Sequence, residues 1–448
     1  MDAAREGEPA AVPQRATQAG DIRARWAWAE PSVWTDRMLE ALEAGVKGGK
    51  WFSLIDKVYR RENLRAAFRK VAANKGAPGV DHVTIEQFKR EEETQLERLE
   101  RTLKDGTYQP QAIRRTYIPK PGSREKRPLG IPTVCDRTVE AALRHVMEPI
   151  FEQTFSERSY GFRPGRGCKD ALREVDRLLR EGYRQVVEAD WKSYFDTIPW
   201  AKLMERVEEQ IADGRVLALV KAFLSQGVME EGRLREAKEG TPQGGVISPL
   251  LANIYLDALD QHMARLGYVM IRYADDLVIL CRSAEQAQAA VAELRAWSQE
   301  AGLSLHPDKT RCVDMNCPGE GFDFLGYHFA YTRTGKLDRW PREKSVRKFK
   351  DSIRAVTRRS NGHSLEQTIW RTNQVTRGWF EYFKHSNRWT FPPLDGWIRH
   401  RLRCILRRRH HRKGRARGPD HQRWPNAYFA EYGLFSLVQA RAAAFQPT

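Results

Sequence analysis

A chain of 448 residues with 41% apolar side chains can bury several cores, and 76 Lys and Arg against 58 Asp and Glu leave a net charge of +18. That balance favours a polyanionic partner, and the lack of any apolar run near the ~18 residues of a bilayer span argues against a membrane protein. The first thirty residues hold no apolar signal-peptide core, and six scattered cysteines without paired spacing read as reduced thiols, so the expected compartment is the cytoplasm.

Residues 1–50 read as an N-terminal extension with one short helix over 34–44; Lys47-Gly48-Gly49-Lys50 lacks the offsets of a phosphate loop. Helical spacing of apolar residues covers 51–73, with Asn63 as an N-cap between two helices. The Gly/Pro run 74–81 is a loop, either a connector or a binding element. A helix over 85–103 leads to a strand and turn at 117–122. Around that turn cluster Lys120, Arg124, Lys126 and Arg127, which taken alone form either a solvated edge or an anion clamp. A helix over 136–151 carries Val139, Leu143, Val146 and Ile150 on one face and reads as core. Residues 159–167 combine Tyr160 and Phe162 with Arg163, Arg166 and three glycines, a composition suited to close approach and stacking on a nucleic-acid strand.

A strand over 185–190 ends in Asp190 and is followed by Trp191, Phe195 and Asp196; Asp196 is either a third ligand or, the favoured reading with Ile198-Pro199 opening a helix, a cap. After a helical stretch over 200–228 comes Thr241-Pro242-Gln243-Gly244-Gly245, where Gln243 offers both a donor and an acceptor to a base pair. A helix over 250–263 precedes the stretch 270–280, in which two apolar, β-prone runs flank a turn bearing Asp275 and Asp276. The run 277–280 is apolar without alternation, so its strand should be covered on both faces. Adjacent like charges repel unless a cation neutralises them, and Mg²⁺ takes a few carboxylates plus substrate phosphates. Two such ions about 4 Å apart serve an in-line phosphoryl displacement. Asp190 joins this site only if the fold sets its strand beside the hairpin.

A helix over 284–301 and a turn holding Lys309 follow; residues 322–329 then alternate as a strand that pairs across Thr334-Gly335. Beyond Pro341 the composition shifts to Arg-rich helices whose interleaved aromatics read as core. On the last of them Ile398, Leu402, Ile405 and Leu406 form a narrow stripe. Residues 396–417 hold ten Lys or Arg and no acid, so Arg399, Arg403, Arg407, Arg408 and Arg409 are expected to face phosphates.

Tyr273-Ala274-Asp275-Asp276 on a hairpin, Asp190 with Phe195 five residues on, and Thr241 to Gly245 between them resemble, in order and spacing, the palm motifs of reverse transcriptases. More narrowly, Gln243-Gly244 with Ser248-Pro249, and the ending 424–437, resemble the reverse transcriptase/maturases of bacterial group II introns, a resemblance running from about 51 to 440. It implies an α+β right-hand polymerase. Fingers would occupy 51–155 and include a template-binding segment; a palm with an antiparallel sheet would occupy 156–335. A basic helical thumb or maturase domain would span 336–415 and a tail 416–448. By the same resemblance Asp190, Asp275, Asp276 and the Trp191 carbonyl hold two Mg²⁺, while Lys120 and Arg127 clamp the triphosphate. Phe195 gates the sugar, Gln243 checks the nascent pair and Lys309 protonates pyrophosphate. Arg163 and Arg166 contact template, and the implied partners are group II intron RNA, an RNA template with a DNA primer, dNTPs and target DNA, with nucleoid association when bound to DNA. No HNH nuclease motif with paired cysteines occurs. Two other readings stay open: an RNA-binding splicing factor with secondary polymerase activity, and a domesticated reverse transcriptase in defence or repair.

Overall fold

The computed structural model describes residues 21–46, 48–119, 126–360 and 362–445. At its centre four antiparallel strands run in the order Val269–Tyr273, Asp276–Cys281, Gln185–Ala189, Arg311–Asp314. Both inner strands are buried, as the unbroken apolar run predicts. Side chains alternate between two cores. Val187, Ala189, Leu277 and Ile279 join the main cluster, against the helix Ala284–Glu300. Val186, Val278 and Leu280 join a second cluster, against the helix Cys168–Arg180 and the aromatic strands around Phe322 and Phe329.

A second sheet has the order Lys126–Ile131, Ile113–Pro119, Val228–Glu230, Arg233–Arg235, the middle pair running parallel. The helix Val134–Glu152 is buried along most of its length and packs against the helix Arg61–Ala73. A third sheet pairs Gly321–Phe324, Tyr327–Tyr331 and Leu337–Pro341. The single strand expected over 322–329 is therefore two, broken at Leu325 and Gly326, both with positive φ. The expected pairing across 334–335 is present, Tyr331 opposite Leu337. Because strand Leu337–Pro341 closes that sheet, the helical C-terminal region begins at Glu343, not at 336. Helices Glu343–Val356, Leu365–Phe383 and Phe391–Arg409 enclose a third core built on Phe349, Ile369, Phe380, Phe391 and Leu402. The α+β class and the antiparallel central sheet are as expected. All six cysteines are free, and among the described residues no helix is long and apolar enough to cross a membrane.

Several local expectations are corrected. Residues 21–46 are no appendage: Trp26, Val33, Trp34, Leu39 and Leu42 belong to the main core. Trp34 is fully buried, donates its indole N–H to the His145 carbonyl at 2.9 Å and packs edge-on to Trp51. Asn63 caps nothing. It lies buried within the helix Arg61–Ala73, where its amide donates to the carbonyls of Lys57 and Ala142. The helix over 85–103 breaks at Glu91 into Ile85–Arg90 and Glu92–Asp105, the first closed by a Thr84–Gln87 capping box. The stretch over 200–228 likewise splits into Trp200–Glu208 and Gly214–Ser225, with Asp213 capping the second. Replacing Trp34 by Ala removes a large buried ring and orphans a carbonyl, so urea denaturation should register a loss of about 3–5 kcal/mol. A loss under about 0.5 kcal/mol would mean that the N-terminal segment contributes little to the fold.

Candidate active site

The pairing of Gln185–Ala189 with Asp276–Cys281 sets Ala189 opposite Leu277, so one further step brings Asp190 opposite Asp276. Facing Cα atoms in such a pair lie about 4.5–5.5 Å apart with side chains on the same side. That side is the one carrying Val186, Val278 and Leu280, where the turn at Leu325 stands. The Leu325 backbone lies close enough to Asp276 to favour its charged form. Asp275 occupies the tight turn between Tyr273 and Asp276, preceded by Ala274 in the left-handed region at φ 57°.

Crowding tells on these acids. Asp276 reaches solvent, yet the walls around it strip most of its hydration. Burial first, then the charges of Asp275 and Asp190, push its carboxyl up to about 7. Asp275 is raised by burial and by Asp190. Asp190 accepts from the Lys309 ammonium at 2.5 Å. Among the described residues no three acidic, His or Cys groups stand close enough to cage an ion alone. Trp191 is buried, and its neighbours Asp190 and Lys192 bond to His306 and Ser304 across an isolated bridge. The Trp191 carbonyl itself stays out of that ladder.

Around the acids the fingers sheet meets the palm. The Gln243 carbonyl accepts from Gly130 N–H at 2.6 Å, and Gly244, at φ 123°, lies so close to the Gly130 carbonyl that no side chain would fit. The Gln243 side chain accepts from Arg127 Nε at 3.2 Å and donates to Asp196 at 2.7 Å. Asp196 thus lies inside the short helix Tyr194–Thr197 as the partner of Gln243, not as a cap. Beneath the loop, fully buried Glu140 accepts from Val246 N–H at 2.7 Å, and desolvation pushes its carboxyl up to about 8. Phe195 is half-buried with its ring edge-on to Tyr194. Lys120 lies outside the described residues.

The arginines divide. Arg163 is buried, bridging Glu152 at 2.6 Å to the Ser159 carbonyl at 2.8 Å, so it cannot also reach a template; its fork fixes the loop. Arg166 is half-buried, donating to the Glu157 carbonyl and lying over Tyr160. Arg403, 2% exposed, donates to the Trp424 carbonyl and to Asn426; Arg407 pairs with buried Asp420 at 2.9 Å. Both tie the C-terminal helices to the thumb, correcting the expectation that they face phosphates. Arg399 is half-exposed, and Arg408 and Arg409 are exposed. Phe380 and Phe383 are core as expected, whereas Trp370 and Trp389 stand 62% and 68% exposed. The sequence reading missed the partnership of Asp196 and the buried support from Glu140. An acid on the core face of a predicted helix was the available signal for Glu140.

Residues 118–329 match the family described as "Reverse transcriptase (RNA-dependent DNA polymerase)", and residues 346–424 the "Group II intron, maturase-specific domain". Protein YkfC of Escherichia coli K12 is 33% identical over 352 residues, covering 69% of this chain and 87% of YkfC. Group II intron-encoded protein LtrA of Lactococcus lactis is 41% identical over 202 residues, 45% of this chain and 33% of LtrA. The chain thus matches about a third of LtrA's length. A partial Cas6-RT-Cas1–Cas2 complex has a TM-score of 0.36 at 23% identity, covering 55% of this chain and 41% of that one.

A carboxyl raised to about 7 keeps, in the folded protein, a proton that the unfolded chain has already released above the ordinary carboxylate range. Folding stability from this group therefore falls as pH rises through that window. Without divalent metal, Asp276→Asn should resist urea better than the wild type at pH 8, and the advantage should shrink as pH drops to about 4. A pH-independent difference would contradict the raised carboxyl.

Proposed function

The chain belongs to the reverse transcriptase/maturase family encoded by group II introns, and on that footing we propose that its palm adds deoxynucleotides to a primer end paired to RNA. The observation that carries this reading is the strand pairing that ends with Ala189 opposite Leu277, one residue short of Asp190 and Asp276, with Asp275 in the adjoining turn. Asp190, Asp275, Asp276 and the Trp191 carbonyl would hold a pair of Mg²⁺ ions. The fit rests on the burial of Asp275 and Asp276, which together with the nearby charge of Asp190 raises both carboxyls, and on the Lys309 ammonium beside Asp190, a positive charge where a cation would serve. Such ions, when bound, make the primer 3′-hydroxyl more acidic and neutralise the departing pyrophosphate.

The chain's own groups do the positioning. Arg127 offers a planar fork to the triphosphate and, through Gln243, ties the fingers hairpin to the palm. Gln243, already oriented by Asp196, presents its amide to the nascent pair. The ring of Phe195 fills the space a ribose 2′-hydroxyl would need. Lys309, whose ammonium stands beside Asp190, would be the proton donor to the leaving pyrophosphate. Catalysis then rests on alignment and charge neutralisation rather than on a covalent intermediate.

The C-terminal helices bind the intron RNA as a maturase, through Arg399, Arg408 and Arg409 on the phosphates, with Arg166 on the template side. The exposed rings of Trp370 and Trp389 suit stacking on unpaired bases. A ribonucleoprotein so formed copies the intron at a DNA target, the step that retrohoming requires.

Asp275→Ala should lower dNTP incorporation by at least about a thousandfold while leaving affinity for template–primer within about twofold. Splicing of the intron RNA by that same protein should persist; retained DNA synthesis would sink the assignment. Phe195→Val should raise ribonucleotide incorporation relative to deoxynucleotide by about tenfold or more in single-nucleotide extension. An unchanged ratio would remove Phe195 from the sugar gate.

A further inference from the structure

The residue before Tyr273 is an arginine with no place in the chemistry described so far. Arg272 is 1% exposed. Its Nε donates to both carboxylate oxygens of Asp260, at 2.9 and 3.1 Å, and Nη2 pairs with the same group from the helix Ser248–Arg265. Its remaining nitrogen, Nη1, donates at 3.0 Å to the Asn253 side-chain oxygen and at 3.0 Å to the carbonyl of Ala274. Asn253 in turn donates to the Gly161 carbonyl at 2.7 Å. The backbone around Gly161 lies hard against the turn: a Cβ there would fall 2.2 Å from Ala274 N, and Tyr160 N–H bonds the Arg272 carbonyl at 2.9 Å.

A buried ion pair is weak evidence for stability, because apolar residues of the same volume often serve as well. What an apolar residue cannot do is grip a carbonyl. The carbonyl gripped belongs to Ala274, a non-glycine residue at φ 57°, and it opens the peptide leading to Asp275. Such a backbone persists only where its surroundings over-determine it.

We propose that Arg272 is a positioning residue for polymerisation. Clamped by Asp260 and Asn253, it holds the Ala274–Asp275 peptide in the one orientation that aims the Asp275 carboxylate toward Asp190, without itself touching substrate. This rests on the polymerase reading of the hairpin.

Lys at 272 can pair with Asp260 but cannot serve Asp260, Asn253 and the Ala274 carbonyl together. Arg272→Lys should therefore fold, by circular dichroism and thermal melting, and bind template–primer with unchanged Kd. Its kcat should fall on the order of 100-fold, and half-maximal synthesis should need several times more Mg²⁺. Asn253→Ala, which frees one side of the clamp, should shift kcat and the Mg²⁺ requirement the same way by less, and it decides the matter if the lysine variant does not fold. Folded variants with wild-type kcat and Mg²⁺ dependence would overturn the proposal. So would a loss of activity that merely follows the fraction unfolded at unchanged Mg²⁺ dependence. Asp275→Ala is run beside them: an inactive Asp275→Ala with active Arg272 variants defeats this inference alone, whereas an active Asp275→Ala defeats the active-site reading itself.

Discussion

Everything at the centre of this protein depends on the pairing register between two buried strands, Gln185–Ala189 and Asp276–Cys281. Side chains on a strand alternate with a period of two, so a slip of one residue would turn Asp190 toward the opposite face. The register is held by apolar neighbours on both sides: Val187 and Ile279 cannot exchange places with Val186 and Leu280 without leaving one of the two cores. The hydrophobic effect, which knows nothing of catalysis, thereby fixes where three negative charges meet. Burial first, and after it their repulsion, raises the carboxyls of Asp275 and Asp276, and apolar packing on both flanks leaves the backbone no alternative.

A net charge of +18 invites the view that arginines are there for phosphates. The structure divides them into two populations. Those inside, Arg163, Arg272, Arg403 and Arg407, spend several donors each on protein carbonyls and carboxylates and act as joints between chain segments. Those outside, such as Arg408 and Arg409, sit where a polyanion can reach them. A guanidinium serves both purposes because its planar fork satisfies several acceptors at once while its charge survives burial beside a carboxylate. Only the second population can contribute to the salt dependence of nucleic-acid binding.

The glycine-rich motifs share a similar duality. Gly161 and Gly244 resemble nucleic-acid contacts by composition, yet the atoms nearest a would-be Cβ belong to the protein: Ala274 for one, Gly130 for the other. Their lack of a side chain lets loops close on the active site from behind. Gln243, bonded at once to Arg127, Gly130 and Asp196, joins the fingers sheet to the palm through that closeness. A nucleotide seated against Arg127 would therefore act on the palm through the Gln243 side chain.

Much of this was legible in the linear chain. The hairpin with its paired acids, the strand ending in Asp190, the buried helix over 136–151 and the basic C-terminal helices all follow from local periodicity and turn chemistry. Local signals report only on neighbours within a few residues. They could not tell that residues 21–46 sit in the main core, that Asp196 faces Gln243 forty-seven positions later, or that Arg163 and Arg403 point inward. Whether a charged side chain meets solvent or a partner is set by which segments the fold packs against it. That is a property of contacts distant in sequence, and tertiary structure alone decided it.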